Sequence, residues 1–260
     1  MIQLDPKTLQ RLSKNGIPKE EFESSLPQPA ELSLELLNAR GLNLFLYGNY
    51  YRLSTSLSPV DDTLFCIVDI ETNGSKPAHN QIIEIGAVKL QNGSIIDTYE
   101  SLVYCAEIPT QIQEITGITP EQTLQARPLK YVMEEFRLFL SDSVFVGHDA
   151  KFDYGFVSAM MERVGLEKLL NRSLCTIDLA ERTIESERYG LAYLNEQLEL
   201  YKEATHHRAL SDAMTTAKLL KRTLALVPDT IRTAEELIAF SKEAKRLKRP
   251  KPVKEIKKEE

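Results

Sequence analysis

The sequence predicts an α/β protein with a mixed five-stranded sheet flanked by helices, preceded by a small helical and hairpin unit. Three observations predict it. Strand-like runs follow one another from Phe65, with a tight turn at Asn92-Gly93. Short apolar runs such as Val144-Phe-Val-Gly147 and Leu174-Cys-Thr-Ile177 then alternate with helical periodicity. Ahead of both, residues 1–60 carry three short helical patterns and a hairpin of their own.

The chain has 260 residues, enough to bury a substantial core. Its 42% hydrophobic and 27% charged content is ordinary for a soluble globular protein. No apolar run approaches the roughly 18 residues that span a bilayer. The start, Met-Ile-Gln-Leu-Asp-Pro, lacks the basic and apolar regions of a signal peptide, so a cytoplasmic protein with no membrane partner is expected. Cys66, Cys105 and Cys175 form no CxxC pair and read as reduced thiols. A net charge of −6 disfavours a simple polyanion binder. It does not exclude an enzyme that holds phosphate through divalent cations, because such a site is itself rich in carboxylates.

In order along the chain, Asp5-Pro6 supplies an N-cap and a first-turn proline, and Asn15-Gly16 a stop. A second helix is expected over Lys19–Ser25 and a third over Ala30–Arg40, closing at Gly41. Leu44–Leu53 reads as a hairpin turning at Gly48-Asn49. Three helices and a hairpin look winged-helix-like. The third helix carries Glu31 and Glu35 against Arg40, a poor match for DNA, so a docking or structural role is expected. Ser54–Asp62 reads as a linker. Strands are expected over Phe65–Ile70, Gln81–Leu90, Ser94–Tyr104, Val144–Gly147 and Leu174–Ile177. Helices are expected from Thr119, over Pro128–Leu140, Phe152–Val164, Asp178–Ile184, Leu191–Leu198 and Ala209–Leu224. This order is that of a ribonuclease H-like mixed sheet. Thr233-Ala-Glu-Glu236 is a capping box, opening a helix that fades into a Lys- and Pro-rich end read as a solvated, disordered tail. The expected division is 1–60, a docking unit; 61–228, the α/β domain; and 229–260, the C-terminal helix and tail.

Three acidic constellations carry the chemistry. Asp69 and Glu71, two apart at a strand end, share one face of the strand. Alone they fit either a cation site or two solvated acids. Asp153 follows a buried strand at the start of a helix, where it is either a ligand facing the first strand or a charge favoured by the helix dipole. His206, His207 and Asp212 flank the start of a third helix, with Asp212 about one turn inside. His79, among loop residues, has no chemistry assigned. Together Asp69, Glu71, Asp153 and Asp212 supply about the oxygen set that two Mg²⁺ or Mn²⁺ ions need. With a neutral histidine to accept a proton from water, that set points to hydrolysis of a phosphate ester.

The motifs resemble those of the DnaQ-like 3′→5′ exonucleases of the DEDD superfamily, in the branch whose third motif carries a histidine. That branch includes the proofreading epsilon subunit of bacterial DNA polymerase III. Its D-x-E-T-T-G motif is similar to Asp69-Ile70-Glu71-Thr72-Asn73-Gly74, and its H-N-x-x-F-D motif to His148-Asp149-Ala150-Lys151-Phe152-Asp153. Its H-x-x-x-x-D motif is similar to His207–Asp212, which selects His207 over His206. Ile115-Thr-Gly117-Ile-Thr119 resembles the segment that borders the nucleotide in that family, and Ile82–Val88 its second strand. The resemblance covers about residues 64–225.

It implies two divalent cations held by Asp69, Glu71, Asp153 and Asp212, with His207 as general base. It further implies that Ile70, Thr72, Gly74, Ile115, His148 and Phe152 contact the terminal nucleotide. The implied reaction is hydrolysis of single-stranded or frayed DNA from the 3′ end to nucleoside 5′-monophosphates, in proofreading or repair. RNA is the alternative substrate, as in RNase T or oligoribonuclease, and a non-catalytic polymerase-docking module the alternative role. The implied partner is the polymerase III alpha subunit or another replisome component. Two departures stand out: Asp149 replaces the usual Asn, adding negative charge beside the metals, and Gln113 stands where His is common. Neither removes a ligand or the base, so activity is expected.

Overall fold

A computed structural model of the protein describes residues 4–250. The N-terminal unit comprises α1 (Pro6–Lys14), β1 (Ile17–Pro18), α2 (Lys19–Ser25), α3 (Ala30–Ala39), β2 (Leu44–Tyr47) and β3 (Tyr50–Leu53). The Asp5 carboxylate caps α1, accepting from the Lys7 and Thr8 amides, ahead of Pro6. The hairpin turns at Gly48-Asn49 as expected, and the two-residue β1 adds a third strand in the order β1-β3-β2. That strand was invisible in the sequence, being too short to show a period. Leu12, Phe22, Leu37 and Leu53 form a core beneath it.

The stretch expected to be a linker is packed instead. Ser54–Ser56 forms a 3₁₀ turn with Thr55 and Ser56 buried. The Thr55 hydroxyl donates to Glu235 at 2.7 Å, and Glu235 takes both arms of Arg172 at 2.6 and 2.7 Å. A buried bidentate carboxylate needs its remaining lone pairs satisfied, and Thr55 does so. Gly41 lies so close to Asn171 that a Cβ there would meet the amide at 2.1–2.4 Å. Leu170 joins the N-terminal core. The N-terminal unit is therefore fastened to the rest of the fold.

The main sheet contains β4 (Phe65–Thr72), β5 (Ile82–Gln91), β6 (Ser94–Leu102), β7 (Val144–Gly147) and β8 (Ser173–Cys175), in the order β6-β5-β4-β7-β8. The first three strands form the antiparallel meander, and β7 and β8 run parallel to β4. Asn92 and Gly93 both adopt positive φ, 50° and 68°, as the meander's tight turn requires. Side-chain alternation splits β4 between two cores. Cys66, Val68 and Ile70 pack with α6 (Leu129–Leu140) and α7 (Ala150–Arg163). Phe65 and Ile67 pack with α8 (Thr176–Thr183), α10 (Ala209–Leu224) and α11 (Ala234–Glu243). The expected mixed five-stranded sheet between helices is what the structure contains.

Boundaries mostly follow the sequence. Helices α9 (Leu191–Leu198) and α10 match to the residue, and α11 opens on the Thr233–Glu236 capping box. The helix α5 (Pro120–Thr123) opens at Thr119, and α4 (Thr110–Thr116), which was not expected, precedes it. Helix α4 has no acidic first turn and stops at the left-handed Gly117, φ 70°. Helix α11 contributes Ala234, Leu237 and Ile238 to the same core as β4, so the segment after 228 is not separate from the α/β domain. Up to Pro250 the Lys-rich end is ordered on that domain: Arg246 and Arg249 both pair with Glu181, at 2.8 and 2.9 Å. The rest of the expected tail, 251–260, lies outside the described residues. Among the described residues no helix is long and apolar enough to cross a membrane.

Candidate active site

At the C-terminal end of β4, the alternation that buries Ile67 turns Asp69 and Glu71 toward α10. Across the ladder Asp69 pairs with Gly86 and Glu71 with Glu84. Gly86 has no alternative there: a Cβ would stand 2.2 Å from the Leu210 amide and 2.3 Å from Ala209 C. Its missing side chain lets the first turn of α10 lie directly on β5, which brings Asp212 over the β4 carboxylates. A second glycine does the same for Asp153. A Cβ at Gly147 would stand 2.7 Å from Asp153 Oδ2, so the end of β7 gives way to that carboxylate.

Asp153 lies in the first turn of α7 and Asp212 in the first turn of α10, and both are buried, at 5% and 8% exposed. Burial first, then repulsion from Asp153, Asp212, Glu71 and Glu84, pushes the Asp69 carboxyl well above the usual range. Asp153 is likewise pushed well up, by burial and then by Asp149. Glu71 is pushed up to about 7 by burial, with Asp212 and Glu84 adding to it and Arg208 opposing. Asp212 is raised chiefly by burial and lowered by the His207 amide and by His206. The four acids are mutually destabilising at neutral pH.

His207 is exposed and adopts φ 61°, a left-handed conformation that turns the chain abruptly into α10. Its amide donates to Asp212 Oδ2 at 2.9 Å. One ligand atom each of Glu71, His207 and Asp212 lies within 4.8 Å of the others, a grouping able to hold a metal ion. The sequence reading grouped Asp69 and Asp153 with these acids and kept His207 apart as a base. His206 is also present, its Nδ1 3.5 Å from Asp212 Oδ1, a contact the motif spacing did not reveal.

The donor set fits divalent cations. Among the described residues no side chain makes a hydrogen bond to the buried Asp212 Oδ1, His206 Nδ1 standing off at 3.5 Å, and burial and repulsion raise Asp69 and Asp153, a cost that bound cations would relieve. The guanidinium nearest Glu71, Arg208, is committed to Glu84 at 2.7 Å.

The expected nucleotide-contacting residues are distributed unevenly. Thr72 ends β4 at a bulge between Glu71 and Thr72. Gly74 accommodates Asn80, whose side chain a Cβ would meet at 2.5–2.7 Å. Ile115 on α4 and Phe152 on α7 are exposed, and Phe152 packs on Phe156 at 5.5 Å between centroids. Ile70 is buried in the α6–α7 core. His148 has both ring nitrogens engaged, Nδ1 with the Thr176 hydroxyl at 2.9 Å and Nε2 with the Tyr189 carbonyl at 2.8 Å. Burial lowers its pKa to about 4, so it is a neutral imidazole donating from Nε2, and it fixes the β7–α7 turn. The departure Asp149 occupies φ 86°, a left-handed position that Asn and Asp tolerate better than other side chains.

Sequence reasoning missed Glu84, Gly86, Gly147 and Arg208. The visible signal was a carboxylate interrupting an apolar strand, Ile82-Ile-Glu84-Ile-Gly86.

Residues 66–220 match the family described as RNase_T, exonuclease. The chain belongs to that exonuclease family. The resemblance read from the three motifs is borne out. A DNA polymerase III of the PolC type from Thermotoga maritima is 39% identical over 166 residues, covering 64% of this chain and 12% of that protein. The chain thus spans about an eighth of the length of such relatives. Among solved structures, exonuclease X in complex with 5′-overhanging duplex DNA is 26% identical with a TM-score of 0.54, covering 68% of this chain and 99% of that one. Exonuclease I of E. coli in complex with a dT13 oligonucleotide is 15% identical, covers 64% of this chain and 42% of that one, and has a TM-score of 0.57, sharing the fold.

Proposed function

We propose that this exonuclease removes nucleotides from the 3′ end of single-stranded or frayed DNA, releasing nucleoside 5′-monophosphates, with two divalent cations and His207 as general base. The observation that carries this reading is the convergence of Asp69, Glu71, Asp153 and Asp212, four acids held at mutual cost, around a left-handed turn that presents His207. Asp69, Glu71, Asp153 and Asp212 would hold Mg²⁺ or Mn²⁺. When bound, the cations stabilise charge on the phosphodiester and lower the pKa of an attacking water.

The protein's own residues supply the rest. Exposed His207 accepts the proton from water on its imidazole, while the hydrogen bond from its backbone N–H to Asp212 Oδ2 keeps the residue beside the acids. Thr72 and Gly74 line the turn that receives the terminal sugar. Exposed Phe152 and Ile115 offer apolar surface to an unstacked base. His148 holds the β7–α7 turn from behind.

DNA is the substrate favoured by the company the chain keeps: a PolC-type DNA polymerase and exonucleases solved with DNA. By the same reasoning the chain works in proofreading or repair, in the cytoplasm, beside a replicative polymerase. The N-terminal unit, residues 1–60, is the docking element. Matched DNA and RNA oligonucleotides with paired and mismatched 3′ ends test the substrate. Faster shortening of DNA with a mismatched end supports the proposal, and faster shortening of RNA assigns the site to RNA.

A further inference from the structure

Glu84 is fully buried on β5, yet it lies outside the three motifs. Its carboxylate takes the Arg208 guanidinium at 2.7 Å from Nη2 and 3.1 Å from Nε, and the Ala209 amide at 2.9 Å. Arg208 is the N-cap residue of α10 and Ala209 its first residue, so Glu84 grips that terminus at two adjacent positions. His207 is the residue immediately before this grip, and its own amide is tied forward to Asp212. The left-handed turn at His207 is thereby clamped on both sides, by Glu84 through Arg208 and by Asp212.

Position reinforces the point. Glu84 is the cross-strand partner of Glu71 and faces the same side of the sheet. A fifth acid so close to the others adds repulsion at Asp69 and Glu71, and the Arg208 cation committed to it offsets part of that at Glu71. Arg208 also reaches Glu100 at 3.8 Å, on β6. The guanidinium's planar fork fixes direction as well as charge, which a lysine would not.

We propose that Glu84 and Arg208 form a positioning pair that sets where His207 stands over the β4 carboxylates, with no contact to substrate required of either residue. This rests on the assignment of His207 as general base. The pair acts on the turnover step and not on substrate binding, because the base is needed only as the bond breaks. Glu84→Gln preserves shape while removing the charge. Arg208 is 42% exposed at its side chain, but Arg208→Met leaves the buried Glu84 carboxylate without its cation, so Glu84→Gln is the cleaner variant and Arg208→Met is read beside a folding control.

The test combines steady-state hydrolysis of single-stranded DNA with amide hydrogen exchange on the full chain. Each variant should lower kcat by about tenfold or more with KM within about threefold. The double variant should be no worse than the poorer single one, since the two act as a unit. Arg208→Lys should recover part of the loss. The His207 amide should exchange about tenfold faster in Glu84→Gln while the Ala217 amide, mid-α10, is unchanged. A kcat within threefold of the wild type, a loss carried by KM, or unchanged His207 exchange would each overturn the proposal. Should the wild-type chain hydrolyse no nucleic acid, the assignment of the base fails, and the exchange arm alone then decides whether Glu84 holds the turn.

Discussion

Asp153 Oδ2 fills the space that a side chain at Gly147 would take, 2.7 Å from where its Cβ would stand. The end of β7 and the first turn of α7 are thus fitted to one carboxylate. Gly147→Ala must either displace Asp153 or shift Ala150, whose Cα lies 2.9 Å from the same point. A displacement of about 1 Å at such a site costs roughly 10²-fold in rate. Gly147→Ala should therefore lose about that much kcat while remaining folded, which circular dichroism and single-turnover kinetics would report together.

Gly86→Ala should behave differently. Its obstacle is the backbone of Ala209 and Leu210, which has no rotamer to yield. Overpacking of this kind costs about 1–3 kcal/mol, so a lower unfolding midpoint should accompany the loss of activity. Urea denaturation separates the two glycines.

Stability should depend on pH in the direction set by the raised acids. Glu71 ionises near 4.5 in the unfolded chain and at about 7 in the metal-free fold, so between those values the folded state binds more protons. Stability of the metal-free protein therefore falls as pH rises through that window, and Asp69 and Asp153, also raised, add to the fall in the same direction. Mg²⁺ or Mn²⁺ should restore the midpoint, by more at pH 8 than at pH 5. Asp153→Asn should raise the metal-free midpoint at pH 8 by several degrees, at about 2–4 °C per kcal/mol, while abolishing hydrolysis. Calorimetry with and without chelator reads all of these.

The two histidines should separate on substitution. His207→Ala should slow turnover by about 10²-fold or more, as removal of a general base does. His206 meets Asp212 Oδ1 at 3.5 Å and is not clamped, so His206→Ala should cost less than about tenfold. Chemical-quench measurement of the cleavage step distinguishes them.

Asp149→Asn restores the residue usual in the second motif without disturbing a left-handed backbone that both side chains accept. It removes one of the charges that raise Asp153. Cation affinity should change by less than about tenfold and catalysis should persist; titration calorimetry with Mn²⁺ checks it.

Much of this was legible because local signals agreed with the fold. The Asp5-Pro6 cap, the Asn92-Gly93 turn and the Thr233–Glu236 capping box mark boundaries that the structure keeps. The motif acids were legible because two carboxylates of like parity on one strand must share a face. What escaped depends on approach between distant segments. Nothing local to Gly86 reports that α10 will lie on it, and nothing local to Glu84 reports Arg208, 124 residues away. The stretch 54–62 has the composition of a linker, and its burial comes from Glu235 and Arg172 far along the chain. Helix α4 is not legible because its seven residues show too little of a helical period.

The central claim is that Asp69, Glu71, Asp153 and Asp212 hold the cations for end-directed cleavage with His207 as base. A 5′-labelled single-stranded DNA, incubated with the protein and Mg²⁺ or Mn²⁺, tests it most directly. The account predicts a ladder shortening one nucleotide at a time from the 3′ end, absent with chelator and absent for Asp153→Asn. Persistence of the full-length strand with either metal, or a ladder undiminished in Asp153→Asn, would contradict it.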